Sequence, residues 1–259
     1  MRITKLGLAI GGTLVFLAAC SDGNPVSPAA PEFRRGSGGG GPAANWVIKT
    51  YTPDNGYTVP VDSPVTKAGR DGVSFAFLTT PDRAVLLTDK LPKKTLPGYT
   101  FSAHIAILAG PGTTFNYCGP NCDGSDPGGF VRFYIQGTNP ALVGCLPGWH
   151  PERPDCEAQY WWSNPVHIDL ADLFALGPSG TTLTALLMPE NWSDRDGHSG
   201  TAVITSSGIT VDHMAAFSAA VTNATKMGLS FGGGDNFAFG VGASPLPATF
   251  VMSKFDLKK

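Results

Sequence analysis

The sequence predicts an all-β protein, an antiparallel two-sheet β-sandwich with one or two short helices, and three observations carry that prediction. Apolar and polar residues alternate at period two in several short segments, the pattern of strands with one buried face. Gly (33) and Pro (22) make up about a fifth of the 259 residues, with no repeat and no collagen period. Turn clusters such as TPDNGY, AGRDG, GPGT, DGSDPGG and SDRDGHSG separate the alternating segments. In them Gly, Asn and Asp supply positive φ, and Pro presets a bend. Short strands spaced in this way build a sandwich of the jelly-roll kind.

From the start of the chain, MRITKLGLAIGGTLVFLAAC has cationic Arg2 and Lys5, an apolar run over residues 6–17, and small residues before Cys20. That layout is a signal peptide, residues 1–19; a membrane-spanning helix needs about 20 apolar residues. The tetrad LAAC, residues 17–20, resembles the lipobox of bacterial lipoproteins. The resemblance implies a diacylglyceryl group on the Cys20 thiol, cleavage before Cys20, and a further fatty acid such as palmitate on the new amino terminus. Several acyl chains anchor stably where one does so only marginally. In such lipoproteins Ser21 after the cysteine implies the outer membrane, so the expected location is the cell envelope, on its periplasmic or extracellular face. Residues 20–44 then comprise the lipidated cysteine and a Gly/Pro/Ser-rich tether that cannot form a core. Such a tether spans on the order of 25 to 30 Å by square-root scaling. Apolar content returns at Trp46, Val47 and Ile48, and residues 45–259, in a chain that is 42% hydrophobic, suffice for one domain.

Within that domain the alternation predicts strands at residues 73–78 (VSFAFL), 99–107 (YTFSAHIAI), 130–135 (FVRFYI), 182–187 (TLTALL) and 249–257 (TFVMSKFDL). One helix follows an N-cap at Asp169, over residues 170–176. A second follows Asp212, with Met214, Phe217 and Val221 on the face it lays over a sheet end. In GLSFGGGDNFAFGVG, residues 228–242, neither a dinucleotide-binding G-x-G-x-x-G between strand and helix nor a P-loop is present. Met227, Leu229 and Phe231 alternate before the glycines, and Phe237, Phe239 and Val241 after them. Residues 232–236 are therefore expected to turn a β-hairpin, and no nucleotide is expected.

Taken together, YWWSNP (160–165), PENWS (189–193), GLSFGGGDNFAFGVG and ATFVMSKFDL (248–257) resemble a pattern found in uncharacterised exported bacterial proteins. The resemblance covers residues 160–259. It implies a jelly-roll or galactose-binding-like sandwich that closes on a core strand, and it brings no activity with it.

Cys118, Cys122, Cys145 and Cys156 are an even set in an exported chain, which reads as disulfides. Three pairings exist. The local one, Cys118 with Cys122 and Cys145 with Cys156, is favoured because each closes a loop rich in Pro, Gly and Asp. C-x3-C followed much later by C-x10-C does not match structural zinc sites.

With 15% charged residues and a formal net charge of -2, the chain has no basic field to attract nucleic acid. Gly197-His198-Ser199-Gly200-Thr201 lacks the last glycine of a nucleophile elbow. Glycoside hydrolysis needs two facing carboxylates, and the domain's glutamates are Glu152, Glu157 and Glu190, in no recognisable array. Calcium ligands are sought among Asp123, Asp126, Asp194 and Asp196, but Thr205 stands where an EF-hand loop begun at Asp194 needs its bidentate Glu. A structural calcium is the one cofactor considered. The histidines, His104, His150, His167, His198 and His213, show no ligand spacing and are expected to stand alone.

Aromatic residues are the remaining lead. In an extended Tyr160-Trp161-Trp162-Ser163-Asn164-Pro165 the adjacent tryptophans face opposite sides. Two readings follow: one indole faces outside, where with Trp149 and Trp192 it forms a platform for a sugar ring, Asn164 and Asn191 supplying hydrogen bonds at the rim, or both are buried, one in the sandwich and one under the disulfide loop. The sequence thus points to an envelope lipoprotein without catalytic function, anchored to the membrane by lipid and carrying a carbohydrate-binding sandwich. A structural or adhesive protein contacting envelope proteins, and a hydrolase with an unrecognised carboxylate site, are the alternatives.

Overall fold

The computed structural model describes residues 42–50, 61–69, 72–91, 97–117, 126–138, 158–194, 197–206, 209–233 and 240–259. All of these fall in one compact unit, Gly36–Lys259. The expected signal peptide and Cys20 lie outside them, as do Cys118, Cys122, Cys145, Cys156, Trp149, His150, Glu152, Glu157, Asp123 and Asp196; of Asp126 only the backbone is described. No helix among the described residues is long and apolar enough to cross a membrane.

The fold is all-β and antiparallel, as the alternation predicts. Its strands begin with β1 (Pro42–Thr50), β2 (Val61–Ala68), β3 (Gly72–Ala76), β4 (Arg83–Thr88), β5 (Thr100–Ala109) and β6 (Thr114–Tyr117). After these come β7 (Asp126–Pro127), β8 (Phe130–Thr138), β9 (Ala158–Asp169), α1 (Leu170–Ala175), β10 (Thr181–Leu186) and β11 (Trp192–Asp194). The chain ends with β12 (Val203–Ser206), β13 (Ile209–Asp212), α2 (His213–Thr222), β14 (Ala224–Gly232), β15 (Val241–Ser244) and β16 (Ala248–Lys258). β1 starts at Pro42, ahead of the boundary expected at Asn45.

The two layers of the sandwich belong to a single hydrogen-bonded path, β10-β5-β16-β3-β2-β1-β4-β14-β8-β9-β11, with β15, β6 and β7 branching from β4. A path of this length twists and curls until it can pack on itself. Ring contacts show where it does. Phe101 of β5 stacks on Phe133 of β8 at 5.2 Å, and Phe75 of β3 and Phe250 of β16 meet Phe231 of β14 edge-on at 5.2 and 4.9 Å. All of these rings are buried and belong to one cluster, so β10-β5-β16-β3 faces β14-β8-β9-β11 across the core.

Both helices start at their expected caps. Asp169 Oδ1 accepts from the Ala171 amide at 2.8 Å, and Asp212 Oδ1 accepts from the Met214 and Ala215 amides at 2.9 and 3.1 Å. The face expected for α2 is displaced, because Met214 is exposed while His213, Ala216, Phe217, Ala220 and Val221 are buried. This helix lies directly on β8, where a Cβ at Gly137 would collide with the Ala220 backbone. The stripe that fits so close a surface is centred on Ala216 and Ala220.

Most of the β-hairpin expected around residues 232–236, with Phe237 and Phe239 of its second arm, lies outside the described residues. β14 pairs with β4 and β8, and β15 pairs with β6 and, at Val241, with β4. Among the described residues, the Gly240 N–H donates to the Phe231 carbonyl at 3.1 Å. Gly240 has φ of 99°, and a Cβ there would meet the Pro81 carbonyl oxygen. From this glycine the chain enters β15 alongside β6.

Candidate functional site

YWWSNP lies in β9, and its end forms a bulge. The ladder with β8 runs from Tyr134↔Trp162 to Arg132↔His167, leaving residues 163–166 opposite Phe133 alone. Ser163 repairs the gap: its hydroxyl accepts from the Phe133 amide at 3.0 Å and donates to the Val166 carbonyl at 2.6 Å. Pro165, which has no N–H to donate, fits a bulge for the same reason that it would break a ladder. The bulge carries Asn164 and Pro165 out to an open cleft of about 230 Å³, whose other walls are Glu190, Trp192, Ser193, Gly197 and Ser199. Asn164 Nδ2 donates to Ser193 Oγ at 3.3 Å.

Among the described residues the tryptophans form no exposed platform at this cleft; Trp149 lies outside them. Trp161 and Trp162 do face opposite sides of the sheet, but both are buried, at 0% and 6% exposure, and so is Trp192, at 1%. Trp161 enters the main core and meets Phe217 edge-on at 5.2 Å. Trp162 sits in a second apolar cluster with Ala84, Val85, Leu87 and Tyr134, and its Nε1 donates to Ser230 Oγ at 3.0 Å. Trp192 packs against Phe217 and donates to the Leu186 carbonyl at 2.9 Å. An indole whose N–H is satisfied internally gains more from burial than from waiting on the surface. Tyr160 is half-buried beside Tyr134, and Asn191 ends the 3-10 turn that leads into β11.

Beside the cleft, the described residues of SDRDGHSG, 193–194 and 197–200, come back onto one another. The Asp194 amide donates to the His198 carbonyl at 3.0 Å, and Asp194 Oδ1 accepts from the His198 amide at 2.8 Å. Asp194 Oδ2 lies 3.3 Å from His198 Nδ1 and 3.0 Å from His213 Nε2. One potential ligand atom from each of these three side chains falls within 4.8 Å of the others. This corrects the expectation of isolated histidines for His198 and His213. His104, beside Thr182, and His167, beside Phe130, do stand apart from the cluster. The convergence arises because the β12–β13 ribbon returns the chain to its own base, where the His213 amide donates to the Ala202 carbonyl at 3.0 Å and α2 begins.

Chemically the cleft offers an amide, a carboxylate and two hydroxyls. The Asp194–His198 contact resembles the orienting half of a general-base pair. Among the described residues, however, no hydroxyl or thiol hydrogen-bonds to the outer nitrogen of His198. The one sequence signal for the cluster was Asp194-x3-His198; nothing local marked His213.

No family model matches the chain, and no curated protein matches it. Among solved structures the chain is similar to a xylan-binding module CBM15, at 14% identity over 82% of this chain and 92% of that one, with a TM-score of 0.36. The fold and the site stand on this chain's own residues.

Proposed function

We propose that the folded unit is a non-catalytic binding module for a hydroxyl-rich ligand, a carbohydrate, held in the cell envelope by lipid on Cys20. The observation that carries this reading is the cleft itself, where Asn164, Glu190, Ser193 and Ser199 converge on one open space. Amide, carboxylate and hydroxyl groups on rigid elements recognise sugar hydroxyls by direct hydrogen bonds, with or without a stacked ring. The test is a broad glycan array, followed by titration of the best hit against intrinsic tryptophan fluorescence, with Trp192 in the cleft wall as reporter. Asn164→Ala and Glu190→Gln should each weaken binding by about 1–3 kcal/mol, the cost of leaving a ligand hydrogen bond unmade. Glycan cleavage that Glu190→Gln abolishes would instead make the protein a hydrolase.

The burial of Trp161, Trp162 and Trp192 favours a second reading, a structural or adhesive envelope protein. A folded protein that binds no glycan class supports it. Anchoring is tested separately: Cys20→Ser should release the chain from membranes, and retention after a salt wash overturns the lipid anchor.

A further inference from the structure

Asp194, His198 and His213 come from three elements: the end of β11, the turn after it, and the first residue of α2. We propose that these three side chains bind a divalent transition-metal ion of the zinc type. Two imidazoles and one carboxylate are the ligand set that zinc and its neighbours favour, whereas calcium takes oxygen donors. The sequence expectation of calcium at Asp194 is thereby redirected to a different ion. Ligands bonded at about 2.0–2.2 Å around a tetrahedral zinc lie roughly 3.3–3.5 Å apart. The contacts of 3.0 and 3.3 Å from Asp194 Oδ2 to the two rings are close to that spacing.

Burial fits the same assignment. The His213 side chain is 3% exposed and that of Asp194 14%, while that of His198 is 39% exposed. An ion here is therefore fixed from the protein side and meets solvent past His198, the arrangement of a three-ligand site with its remaining position open. His213 Nδ1 is buried without a hydrogen-bond partner. Without an ion the Asp194 carboxylate, 3.0 Å away, holds the proton on Nε2; a metal that displaces this proton takes the Nε2 lone pair, and the ring then carries its proton on Nδ1. Bound there, the ion would tie the 194–198 turn to the start of α2, next to the cleft formed by Ser193, Gly197 and Ser199.

The experiment uses the purified full chain, stripped with a chelator and then freed of it, titrated with zinc(II) against a chromophoric competitor and with cobalt(II) by visible absorption. The expected result is saturation at about one ion per chain, with the metal raising the melting temperature by mass action. His198→Gln, at the exposed ligand, and Asp194→Asn should each weaken binding at least about tenfold, since even outer-shell partners of a metal cost 10–100-fold. The exposed His167→Gln should bind as the parent does. Near-UV circular dichroism checks that each variant is folded, and Asp194→Asn decides the matter should His198→Gln fail that check. No saturable binding by the parent overturns the proposal, as does unchanged affinity in a folded His198→Gln or Asp194→Asn. A thiolate-to-cobalt charge-transfer band would place the ion on cysteine and overturn it as well.

Discussion

Trp161 and Trp162 are neighbours in one strand with the same side chain and nearly the same burial, yet the two faces of the sheet hold them differently. Trp161 points into the large ring cluster, where its neighbours are Phe217 and His213 and its buried N–H finds no partner. Trp162 points the other way into a small cluster, and its N–H is held by Ser230. A buried N–H left unpaired costs about 1–3 kcal/mol. The inner face tolerates that cost because a large ring fills it, whereas the outer face has little apolar surface and depends on the hydrogen bond. The inner face is therefore governed by volume and the outer by polar pairing.

The largest effect should come from breaking the inner face. Phe231 is fully buried and meets Phe75, Phe77 and Phe250. Phe231→Ala should destabilise by about 3–5 kcal/mol, measured as a lowered denaturant midpoint with little change in slope. A loss below 1 kcal/mol, on the order of a surface change, would mean that the two layers do not meet there.

A smaller effect should sharpen the contrast on the outer face. Ser230 is 1% exposed, and Ser230→Ala removes the acceptor from the Trp162 N–H. Equilibrium unfolding should register about 1–3 kcal/mol, with a change in the near-UV tryptophan signal. If Ser230→Ala proves neutral, hydrogen bonding is not what holds the outer face.

The smallest effect belongs to the surface end of β16. The Lys254 ammonium, hydrogen-bonded to Asp256 at 2.8 Å, and then Lys258 hold the Asp256 carboxyl below its ordinary range. Because the native value is depressed, the contribution is present above the ordinary carboxylate pKa and disappears as pH falls through the native value. Solvent screens this partly exposed group, so Asp256→Asn should lower the melting temperature only slightly at neutral pH, and by nothing measurable in strong acid. A difference that grows on acidification would reverse the sign of the linkage.

These contrasts also mark how far the sequence was legible. The alternation in VSFAFL, FVRFYI and ATFVMSKFDL located β3, β8 and β16, and Asp169 and Asp212 capped the helices predicted after them. The opposite facing of Trp161 and Trp162 was legible too, since period two is a property of any extended chain. Which partner each strand would take was not. That β15 pairs with β6 had no local signal, because the pairing depends on strands far away in sequence.

The sequence by itself therefore determined the class of fold, the strands at β3, β5, β8, β10 and β16, and both helix starts, because periodicity and capping act over a few neighbouring residues. Only the tertiary structure decided that Trp162 and Trp192 would be buried, that a bulge would carry Asn164 to the same cleft as Glu190, and that His213 would meet Asp194 and His198. Each of these depends on which distant strands lie side by side. A spacing of 15 or more residues between Asp194 and His213 or between Asn164 and Glu190 carries no local signal, and the curl of the sheet alone brings such pairs together.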